Sequence, residues 1–519
     1  MDNGFYLETP TKLVLPAGVE KCATFDKLHK ELGYEDKRVT YQYLTWRKAQ
    51  KKDDAWIQNG GKGYRHWFVQ KYGREALNDK VAQLARDRYG SCLFLENGRY
   101  WVYSGLQKMV EEILGQKAIV KPFLTPADWK MLPWASKPLE PRWYQTKTVD
   151  LLCPLDGSRT HAAAELATGC GKSFIMALIA KRIGLETIIV VPTLSIAEQL
   201  LLDFQKWFGA GKVGQFFDSK KQCDKHIVIA VSKSLCNVEK GDKYYNNLSN
   251  RKLLLVDETH LAPPESLSGV VFGLLANCPY RYFLSGTVLR NDGLGLLLDA
   301  ITGDLVFQLP VKQCIEEGYL SPLKFFQYRI TTDEKVKSDD VLKINKVHLQ
   351  QNKNIYKHAA NLINRAVQEK KRKVLVLVDT VDQFMFLVRG GLKVPAAFAH
   401  GPLSASNKDT VPESQRKLDP MDLVRRFDAG EFPVLVGTGA ISIGTDIKSA
   451  DFVVNIVGLT SELEIRQGIG RGTRLFPGKT DTIYIDYDVY NEEHLTRHAA
   501  KRRAIFDSVY GNCTVLEAK

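Results

Sequence analysis

The chain has nine cysteines but no pair at Cys-x-x-Cys spacing. Scattered thiols of that kind exclude a disulfide framework, a zinc finger and an iron–sulfur site as first readings, and make a reducing, cytoplasmic setting the expectation. No run of about 18 apolar residues occurs, so no segment is expected to span a bilayer. The opening, Met1-Asp2-Asn3-Gly4-Phe5-Tyr6, lacks a basic stretch leading into an apolar one, so no secretory signal is expected. Proline and glycine are modest, 20 and 39 of 519 residues, which excludes a fibrous or mainly disordered chain. Tandem repeats and low-complexity tracts are missing too. Acids are in deficit: 59 Asp and Glu against 72 Lys and Arg give a net charge of +13. That imbalance favours a polyanionic partner without identifying it.

What is present is enough for about three domains at roughly 100–200 residues each. Six of the eight tryptophans fall before residue 140. In that region Phe5–Leu15 reads as strand, Thr24–Leu32, Ala76–Arg88 and Leu106–Leu114 as helices, and Cys92–Tyr103 as a hairpin turning at Asn97-Gly98. A small α+β domain over 1–120 is expected, followed over 121–141 by a stiff proline-rich linker carrying Pro122, Pro126, Pro133, Pro138 and Pro141. From Arg142 the pattern changes to short apolar runs separated by amphipathic helices. His161–Leu166, Thr187–Val191, His226–Ala230, Leu253–Val256 and Tyr282–Leu284 read as strands. A second series follows at Leu323–Ile330, Val374–Val378, Ala396–Ala399, Val434–Val436, Phe452–Val457 and Thr482–Tyr487. Strands alternating with helices predict doubly wound parallel sheets, one over 142–320 and one over 321–490, with a helical tail over 491–519.

The strongest local signal is Ala167-Thr168-Gly169-Cys170-Gly171-Lys172-Ser173, placed after a strand and opening a helix. Small residues let backbone N–H groups wrap phosphates, and a helix N-terminus adds favourable electrostatics. Lys172 would reach the β- and γ-phosphates of ATP, and Ser173 would ligate Mg²⁺. Leu166 stands where the usual pattern has its first glycine, and a chance Gly-Lys-Ser turn is the alternative. Further on, Leu253–Val256 ends in Asp257-Glu258-Thr259-His260. A buried strand delivering two carboxylates to its tip is where open α/β sheets build sites. Asp257 would hold Mg²⁺ and Glu258 would position and deprotonate the attacking water, although acidic loops after strands are common. Upstream, Arg142, Tyr144 and Gln145 offer an amide for the adenine edge with a ring nearby, or simply core. In the second series Gln467-Gly468-Ile469-Gly470-Arg471-Gly472-Thr473-Arg474 sets two arginines three apart. Both could meet a γ-phosphate, or sit on a solvated helix start. Asp446, in a glycine-rich loop, could accept from a ribose hydroxyl.

Taken in order, Arg142–Gln145, Gly169–Ser173, Pro192-Thr193, Asp257–His260, Ser285-Gly286-Thr287, Gly444–Asp446 and Gln467–Arg474 resemble the superfamily 2 helicases of the DExH type. The series Leu284-Ser285-Gly286-Thr287-Val288-Leu289-Arg290-Asn291-Asp292-Gly293 and the small front domain resemble, more narrowly, the phage branch-migration helicases of the UvsW type. The resemblance implies two RecA-like domains behind a small α+β domain. It also implies that His260 and Gln467 link the γ-phosphate to the opposing domain. Ser285, Gly286 and Thr287 would couple hydrolysis to movement, and Thr193 with Ser232 and Ser234 would contact nucleic-acid phosphates.

Between Lys37 and Arg74 ten Lys or Arg meet only two acids, Asp53 and Asp54. Arg47, Lys48, Lys51 and Lys52 are the densest part. Phosphate contacts there would be salt-sensitive, and interleaved rings such as Tyr41, Trp46, Trp56, Tyr64 and Trp67 could stack on unpaired bases, or be core. The reading is an ATP- and Mg²⁺-dependent DNA helicase or translocase acting, as a monomer, on branched or forked DNA. An RNA helicase, a restriction-type motor subunit and a nucleic-acid-binding scaffold with a vestigial ATPase are the alternatives.

Overall fold

The computed structural model describes residues 4–59, 67–136, 138–259, 264–286, 294–335, 340–401, 403, 411–416, 418–438, 447–458, 465, 468–470, 472–511 and 513–518. Backbone contacts divide the chain into two compact units. One comprises Met1–Ala164, Ile175–Pro192 and Leu201–Phe307; the other comprises Glu165–Phe174, Thr193–Leu200 and Gln308–Lys519.

The first sheet has eight strands in the order Lys220–Lys221, Val213–Phe217, Ile227–Val231, Thr187–Val191, Leu253–Asp257, Tyr280–Ser285, His161–Leu166 and Leu305–Leu309. Its central pairs are parallel and in register, with Leu253 opposite both Thr187 and Tyr280. Near-continuous apolar strands are what a parallel sheet covered on both faces requires, and every residue of Leu253–Asp257 is buried. Val213–Phe217 and Leu305–Leu309 are strands the sequence reading did not anticipate.

The second sheet runs Ala396–Ala399, Val434–Gly437, Val374–Leu377, Phe452–Asn455, Thr482–Val489, Leu323–Ile330 and Cys513–Glu517. All its recorded pairings are parallel. The expected helical tail is the helix Glu493–Val509, but the chain then returns as an edge strand beside Leu323–Ile330, Phe325 opposite Cys513. Phe506 stacks on Phe325 at 4.6 Å, and buried Arg502 bonds the buried Asp486 at 2.9 Å, so this helix belongs to the second sheet's packing. The edge strand was hidden because its outward residues are exposed and lack a buried-strand pattern.

The front segment is α+β. A four-stranded antiparallel sheet runs Tyr6–Thr9, Lys12–Val14, Arg99–Tyr103 and Leu93–Glu96. The hairpin turns at Asn97 and Gly98, both with left-handed backbone (φ 50° and 75°), as two-residue turns of this kind need. A second pair, Gly33–Glu35 with Tyr89–Ser91, brackets a helical excursion: Lys37–Gln58, Trp67–Tyr72 and Arg74–Asp87. Asp36 caps its first helix through the N–H groups of Arg38 and Val39, and its own N–H donates to Arg88 O at 2.8 Å, closing the base.

One hydrophobic cluster runs from Phe5, Leu13, Val102 and Val110 to Leu254, Phe283 and Ile301 of the first sheet's layer. Tyr103 stacks on Phe272 at 3.7 Å, and the buried Arg281 donates to Pro10 O and to Ser104 Oγ. Gly105 has no room for a side chain, since a Cβ would lie 2.3 Å from Ala300 O. The described part of segment 121–141 is largely without helix or strand apart from the short 3-10 turn Pro126–Asp128, and several of its N–H groups are used. Lys130 and Leu132 donate to Ile183 and Lys181, and Ala135 to Trp207. The segment lies along the first sheet's helices as a strap.

Candidate nucleotide and nucleic-acid sites

His161–Leu166 leads into the loop 167–171, and the helix Lys172–Ile183 starts at once. Gly169 and Gly171 have φ of +93° and +77°, a backbone region that side chains with a Cβ rarely enter. A loop with glycines in this region lets successive backbone N–H groups approach an anion closely, as a phosphate cradle requires. Thr168 and Ser173 are partly exposed, while Lys172 is buried. Cys170 is buried, its Sγ 3.0 Å from Cys314 Sγ. This loop lies in the same compact unit as the second sheet. There a Cβ on Gly169 would meet Arg474 Cγ at 3.3 Å, and one on Gly470 would meet Thr168 Cβ at 2.9 Å. Arg474 thus rests its stem on the loop.

In the other unit Asp257 is the last residue of Leu253–Asp257 and is buried. Glu258 follows with φ 48°, an uncommon conformation for a residue with a long side chain. Its N–H donates to Asp257 Oδ1 at 2.9 Å, and its Oε2 accepts from the N–H of Gly286 at 3.2 Å. Because Asp257 pairs with Leu284 in register, Ser285 and Gly286 emerge beside the acid pair. The acid pair and the Ser-Gly segment, which the sequence only placed in series, are thereby in contact. Ser285 is buried. His260, Thr287, Asp446, Gln467 and Arg471 lie outside the described residues.

Arg142 opens the helix Trp143–Leu152. Gln145 Oε1 accepts the Arg142 N–H at 2.9 Å, and Arg142 Nη1 donates to the Tyr144 hydroxyl at 2.9 Å. Tyr144, considered for stacking, is fully buried, whereas its neighbour Trp143 is 44% exposed. The Trp143 ring lies edge-on to Tyr144 at 5.9 Å, with Lys147 Nζ 5.9 Å from its centroid. Periodicity gave no way to choose between adjacent aromatics.

The remainder of the arginine segment is braced through its carbonyls. Thr473 Oγ donates to Gly470 O at 3.1 Å, the Ser321 N–H donates to Thr473 O at 2.6 Å, and Thr482 Oγ and Lys479 Nζ both donate to Gly472 O. Lys479 was not anticipated; nothing in its spacing marks it.

Thr193 follows the strand Thr187–Val191, and Ser232 and Ser234 follow its parallel neighbour Ile227–Val231. Ser232 is buried and Ser234 half-buried. Arg47, Lys48, Lys51 and Lys52 are all exposed on the helix Lys37–Gln58. Of the interleaved rings, Tyr41 is 74% exposed, but Trp46 packs edge-on to Phe68 at 5.0 Å in the excursion's small core. Lys62, Tyr64 and Arg65 and the side chains of Trp56 and Trp67 lie outside what is described. No helix among the described residues is long and apolar enough to cross a membrane, and no cluster there could hold a metal through His, Cys, Asp and Glu alone.

Residues 138–287 match the family Type III restriction enzyme, res subunit, and residues 356–475 match the Helicase conserved C-terminal domain. The chain is 24% identical over 375 residues to the ATP-dependent DNA helicase uvsW of Enterobacteria phage T4, covering 66% of this chain and 68% of that one. It is 23% identical to the DNA 3'-5' translocase XPB2 of Sulfurisphaera tokodaii, over 59% of this chain and 73% of the other. A solved structure of S. cerevisiae Dbp5 aligns over 73% of this chain and 90% of its own with a TM-score of 0.51 at 15% identity, a likeness of fold. A first sheet within the region matched to the res subunit, followed by a second sheet within the region matched to the helicase C-terminal domain, defines a nucleic-acid-dependent ATPase of the helicase class. The chain is a superfamily 2 helicase of the DExH type, and it is similar to the phage helicases of the UvsW type.

Proposed function

We propose that this helicase is an ATP-driven DNA motor that remodels branched or forked DNA. The observation that carries the motor reading is the bond from the Gly286 N–H to the Glu258 carboxylate. Glu258 is the residue assigned to orient and deprotonate the attacking water, and Gly286 lies within the segment assigned to coupling, Ser285–Thr287. A shift of the Ser285–Gly286 segment therefore moves the base, and hydrolysis that frees the base moves the segment. Lys172 takes the phosphates within the loop's N–H cradle, and Arg474, with Arg471, neutralises charge at the γ-phosphate. The hydroxyl of Ser173 and the carboxylate of Asp257 are hard oxygen donors of the kind Mg²⁺ accepts, and the ion offsets charge on the β- and γ-oxygens when bound.

Support for DNA comes from the four exposed cations on Lys37–Gln58 and from the similarity to a phage DNA helicase. Phosphate contacts of this type ignore sequence, as a motor needs. The test is ATPase stimulation and strand displacement measured on single-stranded, duplex, forked and four-way DNA with matched RNA. Forks and four-way junctions should give half-maximal stimulation at the lowest concentration. Stimulation by RNA at lower concentration than any DNA would overturn the substrate class. Stimulation by unbranched duplex equal to that by forks would overturn the branched preference.

A further inference from the structure

Lys479 stands outside every motif, at the end of the turn Phe476–Lys479, where its N–H closes on Phe476 O at 3.0 Å. Its half-buried side chain turns back into the second unit and donates to two carbonyl oxygens. One is Ala450 O, at 2.6 Å, in the segment entering the strand Phe452–Asn455; the other is Gly472 O, two residues before Arg474. Gly472 sits where no side chain fits, a Cβ meeting Thr482 Cγ2 at 2.8 Å and Val453 Cγ2 at 2.9 Å. The backbone that carries this carbonyl is therefore packed closely on Thr482 and Val453, and the carbonyl itself is held by its donors.

We infer that Lys479 is a positioning residue for the arginine segment Gly472–Arg474, its ammonium clamping the Gly472 carbonyl so that Arg474 is held against the phosphate loop. The inference rests on the reading of that segment as a γ-phosphate contact. An ionised donor holds a carbonyl about twice as strongly as a neutral one, so the clamp depends on the proton. The charged groups facing Lys479 are Asp451 and Asp428, which favour its charge, and Arg474 and Arg372, which oppose it; burial is the largest influence and brings its pKa down to about 8. The charge is thus half lost at about pH 8, below the ordinary lysine value of 10.5. Linkage runs the opposite way for stability. The folded protein binds this proton less tightly than the unfolded chain, so this group's contribution to stability rises as pH increases from about 8 toward 10.5. A rate that falls over that window while thermal stability holds or rises is the signature of the clamp.

The experiment compares DNA-stimulated kcat, ATP affinity and thermal unfolding across about pH 6.5–9.5 for the full chain, Lys479→Arg and Lys479→Met. The parent should lose rate with a midpoint at about pH 8. Lys479→Arg, charged throughout, should keep the rate and lose the alkaline limb. Lys479→Met should lower kcat by roughly tenfold with ATP affinity little changed, since the charge-assisted bond to Gly472 O is removed together with that to Ala450 O. A flat parent profile, an alkaline limb retained in Lys479→Arg, or parental kcat in Lys479→Met overturns the inference; if Lys479→Met does not fold, the arginine variant alone decides. Arg474→Ala separates the two readings. If that variant keeps turnover, the γ-phosphate reading itself fails. If it loses turnover by orders of magnitude while Lys479→Met does not, only the clamp fails.

Discussion

At the scale of single residues, Glu258 is the position where local preference and placement conflict. A left-handed backbone costs a residue with a Cβ about 1–2 kcal/mol, and glycine would avoid it. The conformation aims the carboxylate at the Gly286 N–H, and the cost is sustained by the bonds from Glu258 N–H and Gly286 N–H. Glu258→Gln should therefore retain ATP binding and fold but lower turnover by about a hundredfold or more, as loss of a general base does. Glu258→Gly should lower turnover equally without lowering the melting temperature, because relieved strain and the added freedom of the unfolded chain, about 0.4–1 kcal/mol, offset each other. Paired ATPase and thermal-unfolding measurements check both. A glycine variant that melts well below the parent would show that the carboxylate's bonds, and not its catalytic placement, explain the strain.

At the scale of elements, what could be read in the sequence was what burial writes into it. Strands such as Leu253–Asp257 and Val434–Gly437 are covered on both faces, so their composition alone gives them away. The turn after His161–Leu166 was legible because positive φ at Gly169 and Gly171 favours glycine there. Lys37–Gln58 was not, although it is a helix of 22 residues. Charges ring it on several sides, and its apolar packing is a few half-buried rings such as Tyr43 and Trp46 against Val69, Leu77 and Val81. Its start is set by the Asp36 cap, which reads equally well as a turn. The sequence reported its charge and concealed its shape. Replacing Arg47, Lys48, Lys51 and Lys52 by alanine removes exposed charge and leaves helix propensity intact. DNA affinity should fall at low salt, and the slope of log K against log salt should shrink by about 0.9 for each DNA phosphate that is no longer neutralised. An unchanged slope would remove this helix from the DNA interface.

At the scale of the whole molecule, the front segment is not a module that can be cut away at a linker. It shares a compact unit and a hydrophobic cluster with the first sheet, and Arg281 on the strand that ends at Ser285 donates into it. Deleting residues 1–120 would uncover Phe272, Ala300 and Ile301 and leave Arg281 buried beside missing acceptors, each unmet polar group costing about 1–3 kcal/mol. Such a truncation should aggregate or melt far below the parent. The structure offers a cleaner cut. The excursion 37–87 packs chiefly on itself, and its ends are joined at the base, with Asp36 N–H on Arg88 O at 2.8 Å. Removing it and bridging Asp36 to Arg88 with two residues suited to a tight hairpin turn leaves both antiparallel partners, Gly33–Glu35 and Tyr89–Ser91, in register. The shortened chain should melt within a few degrees of the parent, about what a change near 1 kcal/mol produces, and keep its basal ATPase. Its affinity for forked and four-way DNA should drop by roughly tenfold or more at physiological salt, as expected when several phosphates go unneutralised together. Undiminished junction affinity with intact turnover would move DNA selection from this excursion to the two sheets themselves. Loss of basal ATPase in a well-folded product would instead make the excursion part of the engine.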